Sequence, residues 1–186
     1  CWSLGWLRQP MPLLWGVAGA AWVLGGAWLL RRGVGGWAAI PRYLRLVGGL
    51  MALWLAWLAL AQARVIGINF LLSILVLVWV ADIFAYFAGR ALGGRFFARK
   101  LAPSISPGKT WEGVAGALLG VGFYGLCLLI YSPAKNTLHW GQLALILPLL
   151  TAVSVVGDLF ESLLKRQVGI KDSSGLLPGH GGVLDR

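Results

Sequence analysis

Four polar side chains close the last long apolar run of the chain: Asp158, Glu161, Ser162 and Lys165. Spaced i, i+3, i+4 and i+7, they share one helical face. Two carboxylates, a hydroxyl and an ammonium on one stripe can hold a hard cation and neutralise an anion beside it. The plainer alternative is a Glu161–Lys165 pair that eases a helix out of an apolar medium. Another acid, Asp82, lies seven residues inside the end of an apolar run, on one face with Tyr86 and Arg90. That is a depth of about 10 Å at the helical rise. A carboxylate so placed is costly and usually lines a polar cavity, the alternative being a structural pair with Arg90 or a neighbouring helix.

Two polar segments could receive anions. The first follows Lys165-Arg166 and contains Lys171-Asp172-Ser173-Ser174-Gly175, Pro178-Gly179-His180-Gly181-Gly182 and Asp185-Arg186. Its glycines let backbone amides approach a phosphate and its cations neutralise one; a flexible exit loop would explain the glycines but not the mixed charge. His180 could bind a metal, move a proton or bond a phosphate, and no second His or Cys stands near it to favour zinc. The second segment, Ser104-Ile105-Ser106-Pro107-Gly108-Lys109-Thr110-Trp111-Glu112-Gly113, leads into an apolar run. Ser106 is expected to cap that helix with Pro107 in its first turn, leaving amides and Lys109 to take a phosphate. Gly108-Lys109-Thr110 resembles the end of a P-loop, but position 103 is Pro and no strand precedes it, so that match fails.

The elements that must position these groups are apolar. The chain has 186 residues, 59% hydrophobic and 12% charged, against about a quarter charged in soluble domains. A water-soluble globule is excluded. Five runs approach the roughly 20 residues that cross a hydrocarbon core: 13–30, 46–63, 65–89, 114–131 and 141–164, the last with Pro148 as an expected kink. They do not alternate as barrel strands do, so the expected fold is an all-α, polytopic membrane helix bundle, a single domain over 1–186. Lys and Arg number one, four, one, five, one and four in the six segments outside these runs. By the positive-inside rule the second, fourth and sixth segments are cytoplasmic. The net charge of +10 then belongs to membrane topology, and nucleic acid drops out as a partner.

With that orientation all six carboxylates, Asp82, Glu112, Asp158, Glu161, Asp172 and Asp185, fall on or near the cytoplasmic side. Acids needed only for solubility would also occur in the outer loops. Gathered on one side, they suit a place where a cation meets a charged substrate. The active-site region is therefore expected in loop 90–113 and the C-terminal run 162–186. Gly116 and Gly120 have the spacing of a close helix contact, and Trp37, Trp111 and Trp140 suit the headgroup zone. His139 lies in an outer loop and reads as an interface residue. Cys1 and Cys127 are too few and too distant for a disulfide framework. The start at Cys1, without a charged leader, reads as an internal piece of a longer protein.

Taken together, the run Ser162-x-x-Lys165-Arg166-x4-Lys171-Asp172-x-Ser174-x2-Leu177-Pro178-x-His180-Gly181-Gly182-Val183-x-Asp185-Arg186 resembles the signature of the phosphatidate cytidylyltransferases, the CDP-diacylglycerol synthases. Ser106 to Gly113 resembles a second block of that family, and Asp82 with Gly89-Arg90 a third. The blocks span residues 82–186, while residues 1–81 match only as hydrophobic helices. The family pattern continues to a further Asp two positions past Arg186 and to a final span, and it has earlier N-terminal helices.

The resemblance implies CTP plus phosphatidate giving CDP-diacylglycerol and pyrophosphate, with magnesium, on the cytoplasmic side of the bacterial inner membrane. It leaves room for a second, monovalent cation and for a homodimer. Such chemistry fits the residues: two anions must meet, and a divalent cation with Lys and Arg offsets their repulsion. The expected assignment places Asp158, Lys165 and Asp185 in catalysis, with Asp158, Asp185 and Asp172 on the metal. Ser106, Gly108, Lys109, Thr110, Ser162, Arg166, Lys171, His180, Gly181, Gly182 and Arg186 would bind substrate, with Asp82, Glu112 and Glu161 as further candidates. The acyl chains would stay in the bilayer. The rival readings are another membrane transferase acting on lipid phosphates, whose Asp-Gly-x2-Ala-Arg block is absent, and a transporter or channel lined by Asp82 and Asp158. The one-sided acids count against a route across the membrane.

Overall fold

The computed structural model describes residues 5–97, 99–131, 140–170 and 173–174. Within them a short 3-10 turn, Gly5–Arg8, precedes five helices: α1 (Pro12–Ala38), α2 (Arg42–Ile66), α3 (Ile68–Leu92), α4 (Trp111–Tyr131) and α5 (Trp140–Gln167). All five are long and apolar enough to cross a membrane. The shortest, α4, has 21 residues, about 31 Å at the helical rise. Large apolar side chains such as Leu13, Leu53, Leu119 and Leu145 are exposed along them, as a lipid solvent allows. The chain is an all-helical, multi-pass membrane protein.

Four of the helices outrun the apolar stretches that mark them in sequence, while α3 is shifted along its stretch by three residues, starting at Ile68 rather than residue 65 because α2 runs on to Ile66. The first reaches Ala38 rather than residue 30, the third Leu92 rather than residue 89, and the fourth starts at Trp111 rather than residue 114. Arg and Trp at the ends stay helical because the backbone ladder continues while their polar tips reach outward. The loop expected over 90–113 is thereby shortened to residues 93–110. A single residue, Gly67, joins α2 to α3. Helical backbone angles break in α1 at Gly33 (φ 66°, ψ −161°), a region open essentially to glycine. α5 runs through Pro148 as one helix.

The most extensive packing is between α3 and α4, followed by α1 on α5. A core of Leu77, Ala81, Ala117 and Val121 lies between α3 and α4. Glycines set that approach: a Cβ on Gly116 would stand 2.3 Å from the Ala88 Cβ and 2.8 Å from the Phe84 carbonyl oxygen. One on Gly120 would fall 2.4 Å from the Phe84 ring. The close contact expected of Gly116 and Gly120 is therefore formed. On the other side Phe160 of α5 packs edge-on against Trp22 and Trp37 of α1, with ring centroids 5.3 and 5.4 Å apart. Trp37, read from sequence as a headgroup anchor, thus also packs on a neighbouring helix.

One polar staple had no signal in sequence. Gln62 of α2 is buried; it accepts a hydrogen bond from the Trp15 indole and donates to the Gln9 carbonyl at 2.8 Å. A buried amide must be satisfied, and here it fixes the start of α1 against the end of α2.

Candidate active site

The site is built where α3 ends, α4 begins and α5 passes both. Gly93 turns the chain out of α3, since a Cβ there would fall 2.2 Å from the Gly89 carbonyl. Gly94 follows with φ +81°, a left-handed angle that favours glycine. The loop then folds on itself. The Leu101 N–H donates to the Lys109 carbonyl at 3.2 Å, and the Ser106 N–H to the Ala102 carbonyl at 2.8 Å. Ile105 is buried at the loop's centre, and its carbonyl accepts from Arg166 Nε at 3.3 Å. Arg166, expected as a phosphate ligand, thus holds the loop to the end of α5 through one N–H.

The helix cap differs from the sequence expectation. Thr110, not Ser106, caps α4: its Oγ1 accepts the Gly113 N–H at 3.1 Å. The Ser106 carbonyl instead accepts the Lys109 N–H at 3.2 Å. Pro107 therefore sits at the second position of a turn, which its fixed φ suits as well as a first helical turn. The Lys109 amide is spent on that turn and is not open to a phosphate.

The loop, α3 and α5 enclose a cleft of about 410 Å³. Asp82, Tyr86 and Arg90 reach it from α3, Gly108, Lys109 and Thr110 from the loop, and Ser154 and Asp158 from α5. Its remaining walls are small and apolar, including Ala81, Ala85, Ala117 and Val155. The i, i+4 spacing of Asp82, Tyr86 and Arg90 does place them on one face. Arg90 is not the partner of Asp82; its guanidinium donates to the Tyr86 hydroxyl at 2.9 Å.

At the centre Lys109 Nζ makes an ion pair with Asp158, the lysine side chain 24% exposed and the carboxylate 51%. The aspartate therefore remains open on one side. Burial pushes the Lys109 ammonium down to about 8, opposed by the negative charges of Asp82 and Glu161 and assisted by the positive charge of Lys165. Lys109 is thus the cation on which the charges of both helices converge.

The remaining candidates are distributed around this centre. Lys165 Nζ pairs with Glu161 at 2.9 Å, one turn beyond Asp158. Ser162 is half-buried on the same helix. Glu112 does not line the cleft. Its Oε1 accepts backbone N–H groups from Gly94 at 3.1 Å, Phe96 at 3.1 Å and Phe97 at 3.0 Å. Buried at 4% exposure, Glu112 organises the turn after α3. Lys171, Asp172, His180, Gly181, Gly182, Asp185 and Arg186 lie outside the described residues, as does His139. Sequence reasoning missed Ser154, although it stands one helical turn before Asp158 on the same face.

Among the described residues no three His, Cys, Asp or Glu side chains gather as a metal cage. Asp82 and Asp158 facing one cleft offer two carboxylates instead. That donor set fits magnesium, which keeps several waters and is held through one or two carboxylates together with substrate phosphates.

The sequence matches the cytidylyltransferase family over residues 7–186. The chain belongs to the cytidylyltransferase family. It is 47% identical to a phosphatidate cytidylyltransferase of Pseudomonas aeruginosa over 160 residues, covering 82% of this chain and 55% of that protein. It is 44% identical to one of Brucella abortus over 170 residues, 91% of this chain and 57% of the relative. Over 120 residues it is 42% identical to one of Bacillus subtilis, 64% of this chain and 42% of the relative. The chain spans about half the length of the curated relatives it matches. No solved structure matches it.

Proposed function

We propose that the chain is the membrane-embedded catalytic part of a phosphatidate cytidylyltransferase, which forms CDP-diacylglycerol and pyrophosphate from CTP and phosphatidate. The observation that carries this reading is the Lys109–Asp158 pair, set with Asp82 and Arg90 in one cleft at the end of three spans. The names of the relatives support it. The Lys and Arg asymmetry of the loops supports a cleft on the cytoplasmic side, where a nucleotide is at hand, and with the bacterial relatives it supports a place in the cytoplasmic membrane of a bacterium. The reading holds for a monomer or a homodimer.

In the reaction a phosphatidate oxygen bonds to the α-phosphorus of CTP while the bond from that phosphorus to the bridging oxygen of the β-phosphate breaks. No side-chain nucleophile is required, so the residues bind, orient and neutralise. Magnesium, when bound, supplies neutralising charge to the phosphates and to the departing pyrophosphate. Asp158 and Asp82 would hold it, with Asp185 and Asp172 from the C-terminal run as further ligands. Lys109 now rests on Asp158; with that carboxylate engaged elsewhere, its ammonium is free to turn to a phosphate. Arg90 reaches the same cleft, and Lys165, Lys171 and Arg186 are assigned to neutralising phosphate charge. Thr110 and Gly108 give one substrate's phosphate a close approach, and Ser106 and Ser162 support from outside the cleft. His180, Gly181 and Gly182 are assigned to substrate contact. The alanine-lined walls leave the acyl chains beside α3, within the bilayer.

The test is an assay of the intact protein with CTP and phosphatidate, with and without magnesium. Release of pyrophosphate that needs all three is the expected result. Ion flux through liposomes without pyrophosphate release would instead favour a transporter.

A further inference from the structure

The turn after α3 carries side chains that the proposed chemistry does not use. Phe96 and Phe97 are 73% and 53% exposed. Arg95, Arg99 and Lys100 beside them are exposed too, and no acid lies in this stretch. The backbone beneath is held firmly: the Arg95 N–H donates to the Leu92 carbonyl at 2.9 Å. The buried Glu112 carboxylate takes the N–H groups of Gly94, Phe96 and Phe97. Spending those N–H groups inward on one carboxylate leaves both phenyl rings turned outward. Two aromatic rings fixed in the open are unfavourable in water but suit the boundary between headgroups and acyl chains.

Position supplies the occupant. The turn starts one residue past Leu92, the end of a membrane-length helix, so it leaves the protein at the level of the lipid headgroups. Its next residue after Lys100, Leu101, already lines the cleft. We infer that residues 93–97 with Arg99 and Lys100 form an interfacial finger, Phe96 and Phe97 sunk at the headgroup boundary while Arg95, Arg99 and Lys100 gather anionic phospholipid headgroups at the mouth of the cleft. Basic residues near a surface attract anionic lipid by about 1 kcal/mol each. A lipid phosphate held there stands beside the wall formed by Leu101 and Lys109. Docking in the interface is independent of the reaction; capture of the lipid substrate rests on the function proposed above.

Two measurements on the intact protein separate these halves. In a background with every native cysteine, Cys1 and Cys127 among them, replaced by alanine, Phe96→Cys carries an environment-sensitive fluorophore and the protein is placed in nanodiscs. These contain phosphatidylcholine alone, or phosphatidylcholine mixed with phosphatidylglycerol. Emission shifted to the blue and quenched by lipids labelled near the headgroup, more strongly in the mixed discs, is expected. Emission typical of water in both discs overturns the finger, whatever the enzyme does. The second measurement is turnover by the Arg95→Gln, Arg99→Gln, Lys100→Gln variant. Its apparent KM for phosphatidate should rise roughly fivefold per charge removed, with the KM for CTP and kcat unchanged. A KM for phosphatidate that stays the same overturns capture. A wild-type protein without turnover defeats the proposed reaction and leaves the fluorescence result to decide docking.

Discussion

Two carboxylates near the same loop are held in opposite ways. Glu112 is enclosed at 4% exposure and takes three backbone N–H groups on one oxygen. Asp158 is half open and takes a lysine ammonium. Backbone donors are fixed by the turn that supplies them, so an acid they satisfy can only hold shape. A lysine on a four-carbon stem can leave, so an acid it satisfies can exchange partners. In the proposed reaction we assign Glu112 to the frame of the site and Asp158 to its working group, although both are acids on apolar helices.

The sharpest way to break this contrast is Asp158→Asn. The amide keeps the size and loses the charge on a group already half in solvent. Turnover of the intact protein should fall by about 10³-fold or more, the scale on which a group aimed at developing charge acts, with thermal stability in detergent nearly unchanged. Equal losses in both readouts would make Asp158 a structural acid like Glu112.

Glu112→Ala should show the reverse emphasis. Three N–H groups lose their shared acceptor inside a buried turn, which is expensive because the unmade bonds are not replaced. The thermal midpoint should drop clearly, and activity should fall only as far as the loop loosens. Glu112→Gln keeps one carbonyl acceptor and should recover most of the midpoint; failure to do so would show that the negative charge itself is what the turn needs.

Much of this arrangement was legible from residue types. Apolar runs in a charge-poor chain mark the five spans because lipid leaves the backbone few other choices. Asp82, Lys109 and Asp158 stand out because charge near hydrocarbon demands a reason. What could not be read depends on partners far along the chain. Nothing near Glu112 shows that its hydrogen-bond donors lie 15 to 18 residues earlier, so among six acids it resembled a cation ligand. The Ser106-Pro107 pair signals a helix cap and a tight turn equally well; the Lys109 N–H closes the turn on the Ser106 carbonyl and Thr110 takes the cap, while Arg166, 61 residues on, holds the loop at the Ile105 carbonyl. Gly33 carries the break in α1 but is one of 27 glycines, none distinguishable by sequence alone.

The smallest effect expected concerns the spacing between frame and working group. Asp82 stands on α3 and Lys109 precedes α4, so the distance between those helices sets how far apart the cleft's charges lie. At Gly116 a methyl group would meet the Ala88 Cβ at 2.3 Å and the Phe84 carbonyl oxygen at 2.8 Å. Neither belongs to the far end of a flexible side chain, so the helices must move apart. Gly116→Ala should destabilise the protein by about 1–3 kcal/mol, the usual cost of overpacking. It should also lower turnover several-fold, through displacement of Asp82 from its neighbours across the cleft. A methyl group on Gly122, on the same helix, would meet nothing within 4 Å, and Gly122→Ala should leave both readouts unchanged. If Gly116→Ala lost stability with full turnover, the helix contact would support the fold without setting the geometry of the site.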